Sequence, residues 1–265
     1  MKGKIAAITG GSGTLGNAFI KGLLEAGVTV YSLDRNTEAS EEMVNHYAEL
    51  GYTMHAISCD VLDETKVQQA LDKIIAQSGK LDILINCAGG NMPGATVMPD
   101  QTVSDISVDQ FRKVTDLNLL GTVIPSVIVS KQMIAQGSGV IINISSMAAF
   151  IPLTRVVGYS ASKAAINSFT QWLAVELNSK HGNGIRVNAI APGFFVANQN
   201  RALLLKDDGT LTPRGETIIS QTPMKRFGDP EDLVSTLLWL CDDKSSFITG
   251  IIVPVDGGYS AFSGV

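Results

Sequence analysis

Four polar residues stand at spacings from which proton chemistry can be built. Tyr159 precedes Lys163 by four positions, so on a helix the two side chains share a face. A free phenol titrates near pH ~10. A neighbouring ammonium stabilises the phenolate, and the pair predicts a Tyr159 value brought down toward neutrality. Ser146, in the run Asn143-Ile144-Ser145-Ser146, can donate to a substrate oxygen and steady the charge that develops there. Asn118 lies inside a long helical pattern, where asparagine is a poor helix former. A water-bound relay from Asn118 to Lys163 would account for it. Each feature has a plainer reading alone: Tyr-x-x-x-Lys is usually a surface pair, and two serines after a strand are usually a turn or a cap.

What joins them is a second feature upstream. Thr9-Gly10-Gly11-Ser12-Gly13-Thr14-Leu15-Gly16 follows a short apolar run and opens a helical pattern. Glycines let a backbone turn sharply and approach a pyrophosphate, and a helix N-terminus offers unpaired N–H groups with a positive dipole end. In the strand–turn–helix setting this string reads as a dinucleotide loop. Asp34, at the end of the second apolar run, is placed to accept from the adenosine ribose hydroxyls and to repel a 2′-phosphate. Arg35, next to it, could instead pair with that phosphate; the strand-end position favours Asp34, and NAD over NADP. Asp60, followed by Val61, could accept from the adenine amine. Asn86-Cys87-Ala88-Gly89-Gly90 could lie against the adenosine ribose. Both segments could equally be ordinary turns.

The elements that must hold these residues alternate. Apolar runs at Ile5–Thr9, Val28–Leu33, Thr53–Ser58, Leu81–Asn86, Val140–Ile144, Ile185–Ile190 and Ile251–Val255 read as strands buried on both faces. Helical patterns fill Leu15–Ala26, Glu38–Leu50 and residues 63–78, 107–136, 160–180 and 230–241. Such alternation implies right-handed βαβ units and a parallel sheet. No composition shift divides the 265 residues, so a single α/β domain over 1–265 is expected. The irregular stretch at about 194–223 follows the sixth strand. At the carboxyl end of a parallel sheet it is placed to act as a substrate lid.

Composition removes other classes. A net charge of −5 without a basic block argues against nucleic acid. Cys59, Cys87 and Cys241 are widely spaced in apolar runs and read as buried thiols, with no disulfide framework and no zinc cluster. His46, His55 and His181 form no metal motif and read as surface or helix-end residues. The start, Met1 to Lys4, leads into an apolar run too short for a secretory core, and no apolar run approaches a membrane span. A cytoplasmic protein without a metal is expected.

These residues resemble the short-chain dehydrogenase/reductases along essentially the whole chain. The glycine loop, Asn86-Cys87-Ala88-Gly89, Asn118, Ser146, Tyr159, Lys163 and Pro192-Gly193 fall in that family's order and approximate spacing. The resemblance implies a seven-stranded doubly wound Rossmann-type sheet and commonly a homotetramer, with the helical stretches 107–136 and 160–180 as candidate subunit faces. It implies Asn118, Ser146, Tyr159 and Lys163 as the catalytic set. It also implies a nicotinamide lying against Pro192, Gly193 and Phe195, with Tyr159 and Lys163 beside the cofactor. Two positions depart from the pattern. Thr14 stands where the family usually has glycine, with Gly13 placed to serve the turn. Ala197, followed by Asn198, stands where the family usually has a threonine that contacts the nicotinamide amide or phosphate.

A narrower resemblance, to the mannonate oxidoreductase (fructuronate reductase) branch, rests on Pro192-Gly193-Phe194-Phe195, Asn200-Arg201-Ala202-Leu203-Leu204-Leu205 and Leu211-Thr212-Pro213-Arg214-Gly215. Pro152-Leu153-Thr154-Arg155 and the terminus Ser263-Gly264-Val265 share it. It implies NAD(H)-linked interconversion of D-mannonate and D-fructuronate. A hexonate is anionic and rich in hydroxyls, and an arginine can grip a carboxylate through two parallel hydrogen bonds. Arg155, Arg201, Asn91, Asn198 and Asn200 are therefore candidate substrate contacts, with surface charge the alternative for the arginines. A different polyol, a gluconate or a 3-oxoacyl substrate is the rival within the family. A non-catalytic dinucleotide-sensing scaffold is the rival outside it.

Overall fold

The computed structural model describes residues 1–197 and 200–264; Asn198, Gln199 and Val265 lie outside the described residues. The seven apolar runs form seven strands: β1 (Ile5–Thr9), β2 (Thr29–Asp34), β3 (Met54–Ser58), β4 (Ile83–Asn86), β5 (Gly139–Ile144), β6 (Ile185–Pro192) and β7 (Ile252–Val255). They make one sheet in the order β3-β2-β1-β4-β5-β6-β7, and every pairing is parallel. Each residue of β1, β4, β5 and β6 is buried. Successive side chains point to opposite faces, so burial of every residue requires cover on both.

Two cores supply that cover. On one face Ala7, Leu84, Ile141 and Val187 meet Val67, Leu71 and Ile74 of α3 (Glu64–Ser78), Val129 and Met133 of α5 (Gly121–Gln136), and Leu173 and Leu177 of α6 (Val157–His181). On the other, Ala6, Ile8, Ile83 and Ile142 meet Phe19, Ile20 and Leu23 of α1 (Thr14–Glu25) and Leu237 and Leu240 of α9 (Val234–Cys241). α2 (Glu38–Glu49) packs beside β3. Strand order reverses between β1 and β4, which opens a crevice at their carboxyl ends.

Three expectations change. The single helix expected over 107–136 is α4 (Val108–Thr115), a π turn at Asp116–Leu120 and then α5. This continuous Val108–Gln136 stretch is also long and apolar enough to cross a membrane by length and composition, contrary to expectation; half of its apolar window is buried inside the fold. His55 is not at a helix end. It sits half-buried in β3, stacked on Tyr31 at 4.6 Å between ring centroids.

After β6 the chain makes an excursion through α7 (Arg201–Leu204) and α8 (Pro213–Gln221). A tight reversal pairs Leu205 with Leu211, with Gly209 at φ 82° in the turn. Leu204 and Ile218 are buried and anchor the two helices.

Candidate active site

The glycine loop is built by close approach. Gly10 has φ 67°, and a Cβ there would stand 2.9 Å from the Cα of Ala88. A Cβ on Gly16 would stand 2.5 Å from the carbonyl oxygen of Gly10. Both positions exclude a side chain, one for conformation and space, the other for space. Gly13 is the N-cap of α1, extended, with no side-chain cap among the described residues. The first-turn N–H groups of α1 therefore face the crevice available to an outside anion. Thr14 is already helical, so the turn does not need the family's usual glycine there. Thr9, which the sequence did not single out, ties β1 to the end of β4: its Oγ1 accepts from the N–H groups of Cys87 and Ala88, each at 3.1 Å.

Between these strand ends lies a cleft of about 390 Å³. Gly10, Ser12, Gly13, Thr14, Leu15 and Gly16 line one side and Cys87, Ala88, Gly89 and Gly90 the other, with Tyr159, Lys163 and Ala197 completing it. A bare loop of small residues with unpaired helix N–H groups fits a dinucleotide.

Asp34 is buried at the cleft's edge, but its carboxylate is already engaged. Oδ1 accepts from Ser12 N at 3.2 Å and Ser12 Oγ at 2.8 Å; Oδ2 accepts from Ser32 Oγ at 2.6 Å and Ser40 Oγ at 2.7 Å. A carboxylate has about four acceptor sites, so Asp34 braces the glycine loop as well as carrying charge beside it. Arg35 is exposed.

Other residues expected at the cofactor have partners within the fold. The side chain of Asn86 turns into the core, where Nδ2 donates to Ser126 Oγ and Asn143 Oδ1, both at 2.8 Å. The backbone that follows it lines the cleft instead. Asp60 accepts from Leu62 N at 3.0 Å in a local turn, and Val61 is buried against Gly121. Phe195 is a core residue whose ring fills the space above Gly228. Pro192 ends β6, and Gly193 packs on the backbone of Asp256.

The expected proton-handling residues converge. α6 carries Tyr159 and Lys163 on one face, with the Lys163 Nζ 5.4 Å from the Tyr159 ring centroid. Lys163 is buried, and its Nζ donates to Ile144 O at 2.7 Å. Ser146 follows β5; its Oγ accepts from Ala148 N at 3.1 Å, and its hydroxyl lies close enough to Tyr159 to favour the phenolate. Ser145 is excluded from this role by its own geometry: its Oγ donates to Asn167 Oδ1 inside the fold.

The electrostatics run against expectation. Burial pushes the Tyr159 phenol above its ordinary value, and the Ser146 hydrogen bond offsets this only in part. Burial also lowers the Lys163 ammonium to about 8. Desolvation penalises both charged forms, and here it outweighs the pairing that the i, i+4 spacing suggested. Cys87, on the cleft wall, is pushed up to about 12 by burial and stays a neutral thiol.

Asn118 has a structural task. In the π turn its Nδ2 donates to Gly90 O at 2.7 Å and to Val114 O at 2.8 Å, and its Oδ1 accepts from Gly90 N at 3.1 Å. Both amide hydrogens are consumed, so the side chain is a strut holding the loop after β4. A water relay would have to use its main-chain carbonyl, which already accepts from Thr122 Oγ1.

The expected substrate contacts separate. Asn91 donates to Thr96 Oγ1 at 2.7 Å and leaves its Oδ1 buried without a partner among the described residues. Arg155 stands half-buried at φ 76°. The Asn200 amide closes its own turn, accepting from Ala197 N and donating to Phe195 O. Arg201 is exposed on α7, and Asn198 lies outside the described residues.

The short chain dehydrogenase model matches residues 4–207. The chain is 45% identical to an uncharacterized oxidoreductase, UxuB, of Bacillus subtilis, covering all of this chain and 98% of that protein. It is 34% identical to a 2-dehydro-3-deoxy-D-gluconate 5-dehydrogenase of Formosa agariphila, covering 100% and 95%. A solved structure from Haemophilus influenza, provisionally described as a D-mannonate oxidoreductase and holding NAD, superposes with a TM-score of 0.92 at 41% identity, covering 100% and 98%. With the same sheet, loop and side-chain order in place, the protein belongs to the short-chain dehydrogenase family of NAD(P)-dependent oxidoreductases.

Proposed function

We propose that the protein interconverts a hydroxyl and a ketone on a sugar acid, D-mannonate and D-fructuronate, using NAD(H). The observation that carries this reading is the convergence of Ser146, Tyr159 and Lys163 on a glycine-lined cleft, with the half-buried Arg155 four residues before Tyr159. Similarity to a protein described as a D-mannonate oxidoreductase supports it. NAD rather than NADP follows from Asp34, whose carboxylate at the loop would repel a 2′-phosphate.

The glycine loop, the α1 N-terminus and the Ala88–Gly90 backbone would hold the dinucleotide. When bound there, the nicotinamide would supply the hydride acceptor for oxidation and the hydride donor for reduction. Ser146, fixed at its cap, donates a hydrogen bond to the substrate oxygen. In reduction Tyr159 gives that oxygen its proton; in oxidation it takes the proton back. Lys163, hydrogen-bonded to Ile144 O, keeps its charge beside the phenolate when that forms. Asn118 keeps the loop after β4 in place, and residues 194–223 act as the substrate lid.

A panel with purified protein tests the substrate. D-Fructuronate with NADH and D-mannonate with NAD should turn over; absence of both, with turnover of another ketone, removes the assignment. Oxidation of a deoxygluconate is the second reading, favoured by the Formosa agariphila relative. We also propose a homotetramer joined through α5 and α6, where Trp172 is 57% and Val175 66% exposed. Light scattering checks this, and a monomer mass would exclude it.

A further inference from the structure

Arg214, in the first turn of α8, was not among the residues whose chemistry stood out in the sequence. Its Nη1 donates to Thr154 Oγ1 at 3.3 Å, which brings α8 against the segment between Ser146 and Tyr159. Arg155 is the next residue of that segment, and its charge acts on Arg214. Both guanidinium-bearing residues are half-buried. Among the described residues, no carboxylate forms an ion pair with either.

Two unfavourable features therefore meet at one place. Two like charges lie near each other without a carboxylate partner among the described residues. Arg155 takes a left-handed backbone at φ 76°, held by the hydrogen bond from Val97 N to its carbonyl. Backbone strain of this kind, four residues before Tyr159, is commonly tied to ligand binding. An anion bound by both guanidinium groups would relieve that repulsion.

We propose that Arg214, with Arg155, clamps the carboxylate of the substrate, so that α8 carries the selectivity for an acid over the corresponding neutral polyol. This rests on the sugar-acid reading above.

The test measures kcat/KM for paired substrates, D-mannonate against D-mannitol and D-gluconate against D-glucitol, each with NAD. It compares wild type, Arg214→Gln, Arg214→Lys and Lys206→Gln. Lys206 is an exposed cation on the same excursion and reports any general field effect. Wild type should prefer the acids. Arg214→Gln should lower the acid-to-polyol ratio roughly ten- to a hundredfold, as expected for losing a charge-assisted hydrogen bond. Arg214→Lys should restore part of the ratio, because charge returns without the bidentate fork. Lys206→Gln should leave it unchanged. Preference for acids that survives Arg214→Gln, or falls equally in Lys206→Gln, overturns the clamp and leaves the sugar-acid reading standing. A wild type that prefers the polyols, or turns over neither member of the pairs, overturns both.

Discussion

At the scale of single residues, burial decides protonation. Lys163 titrates near 8 because its ammonium is desolvated, whereas Tyr159 is pushed up and stays protonated through that range. Lys163 thus loses its charge as pH rises through about 8. The expected result is a kcat/KM for ketone reduction that falls on that alkaline limb. Lys163→Arg cannot lose its proton, so its residual activity should lack the limb; an unchanged limb would assign it to another group. Asp34 is held by three serines as well as by the Ser12 backbone, so Asp34→Ala removes both a brace and a charge. It should raise the KM for NAD and shift the NADP/NAD ratio of kcat/KM by roughly tenfold or more, about 1.4 kcal/mol. No shift in that ratio would sink the charge argument for NAD. The chemical types at Tyr159, Lys163, Ser146 and Asp34 were legible from spacing alone. Their partners were not: Asn86 pairs with Asn143 across 57 positions, and no local pattern announces that a side chain is spent inside the fold. Arg214 was missed for the same reason, since its meaning depends on a contact with Thr154 across 60 positions.

At the scale of elements, the strands were readable because a strand covered on both faces must be apolar throughout. Their ends moved by only a residue or two in most cases. The break in the 107–136 helix was not readable. A π turn inserts one residue into the hydrogen-bond ladder, and its cause here is tertiary: the Asn118 amide satisfies the backbone of Gly90. That makes Asn118→Ala a stability variant as well as an activity variant. It leaves the Gly90 N–H and C=O without partners, at a cost of about 2 kcal/mol or more. A fall in Tm of roughly 5 °C by calorimetry is expected for a chain of this size. A Tm equal to wild type would show that the strut carries no load and would return Asn118 to a purely relay role.

At the scale of the whole molecule, one sheet carries the site. The reversal between β1 and β4 opens the crevice, β5 and α6 bring Ser146, Tyr159 and Lys163 to its end, and the excursion after β6 meets its rim at Ala197. The doubly wound topology followed from alternation, because parallel neighbours require crossover helices. The placement of α8 could not, because a polar excursion has no periodicity to tie it to the sheet. The most direct test of the account follows nicotinamide absorbance as purified protein, with NADH, reduces D-fructuronate, in wild type and in Tyr159→Phe. Wild type should turn over. Tyr159→Phe, which keeps the ring and loses the proton, should bind NADH as before and lose roughly a hundredfold or more in kcat. Retention of wild-type kcat by Tyr159→Phe would contradict the mechanism.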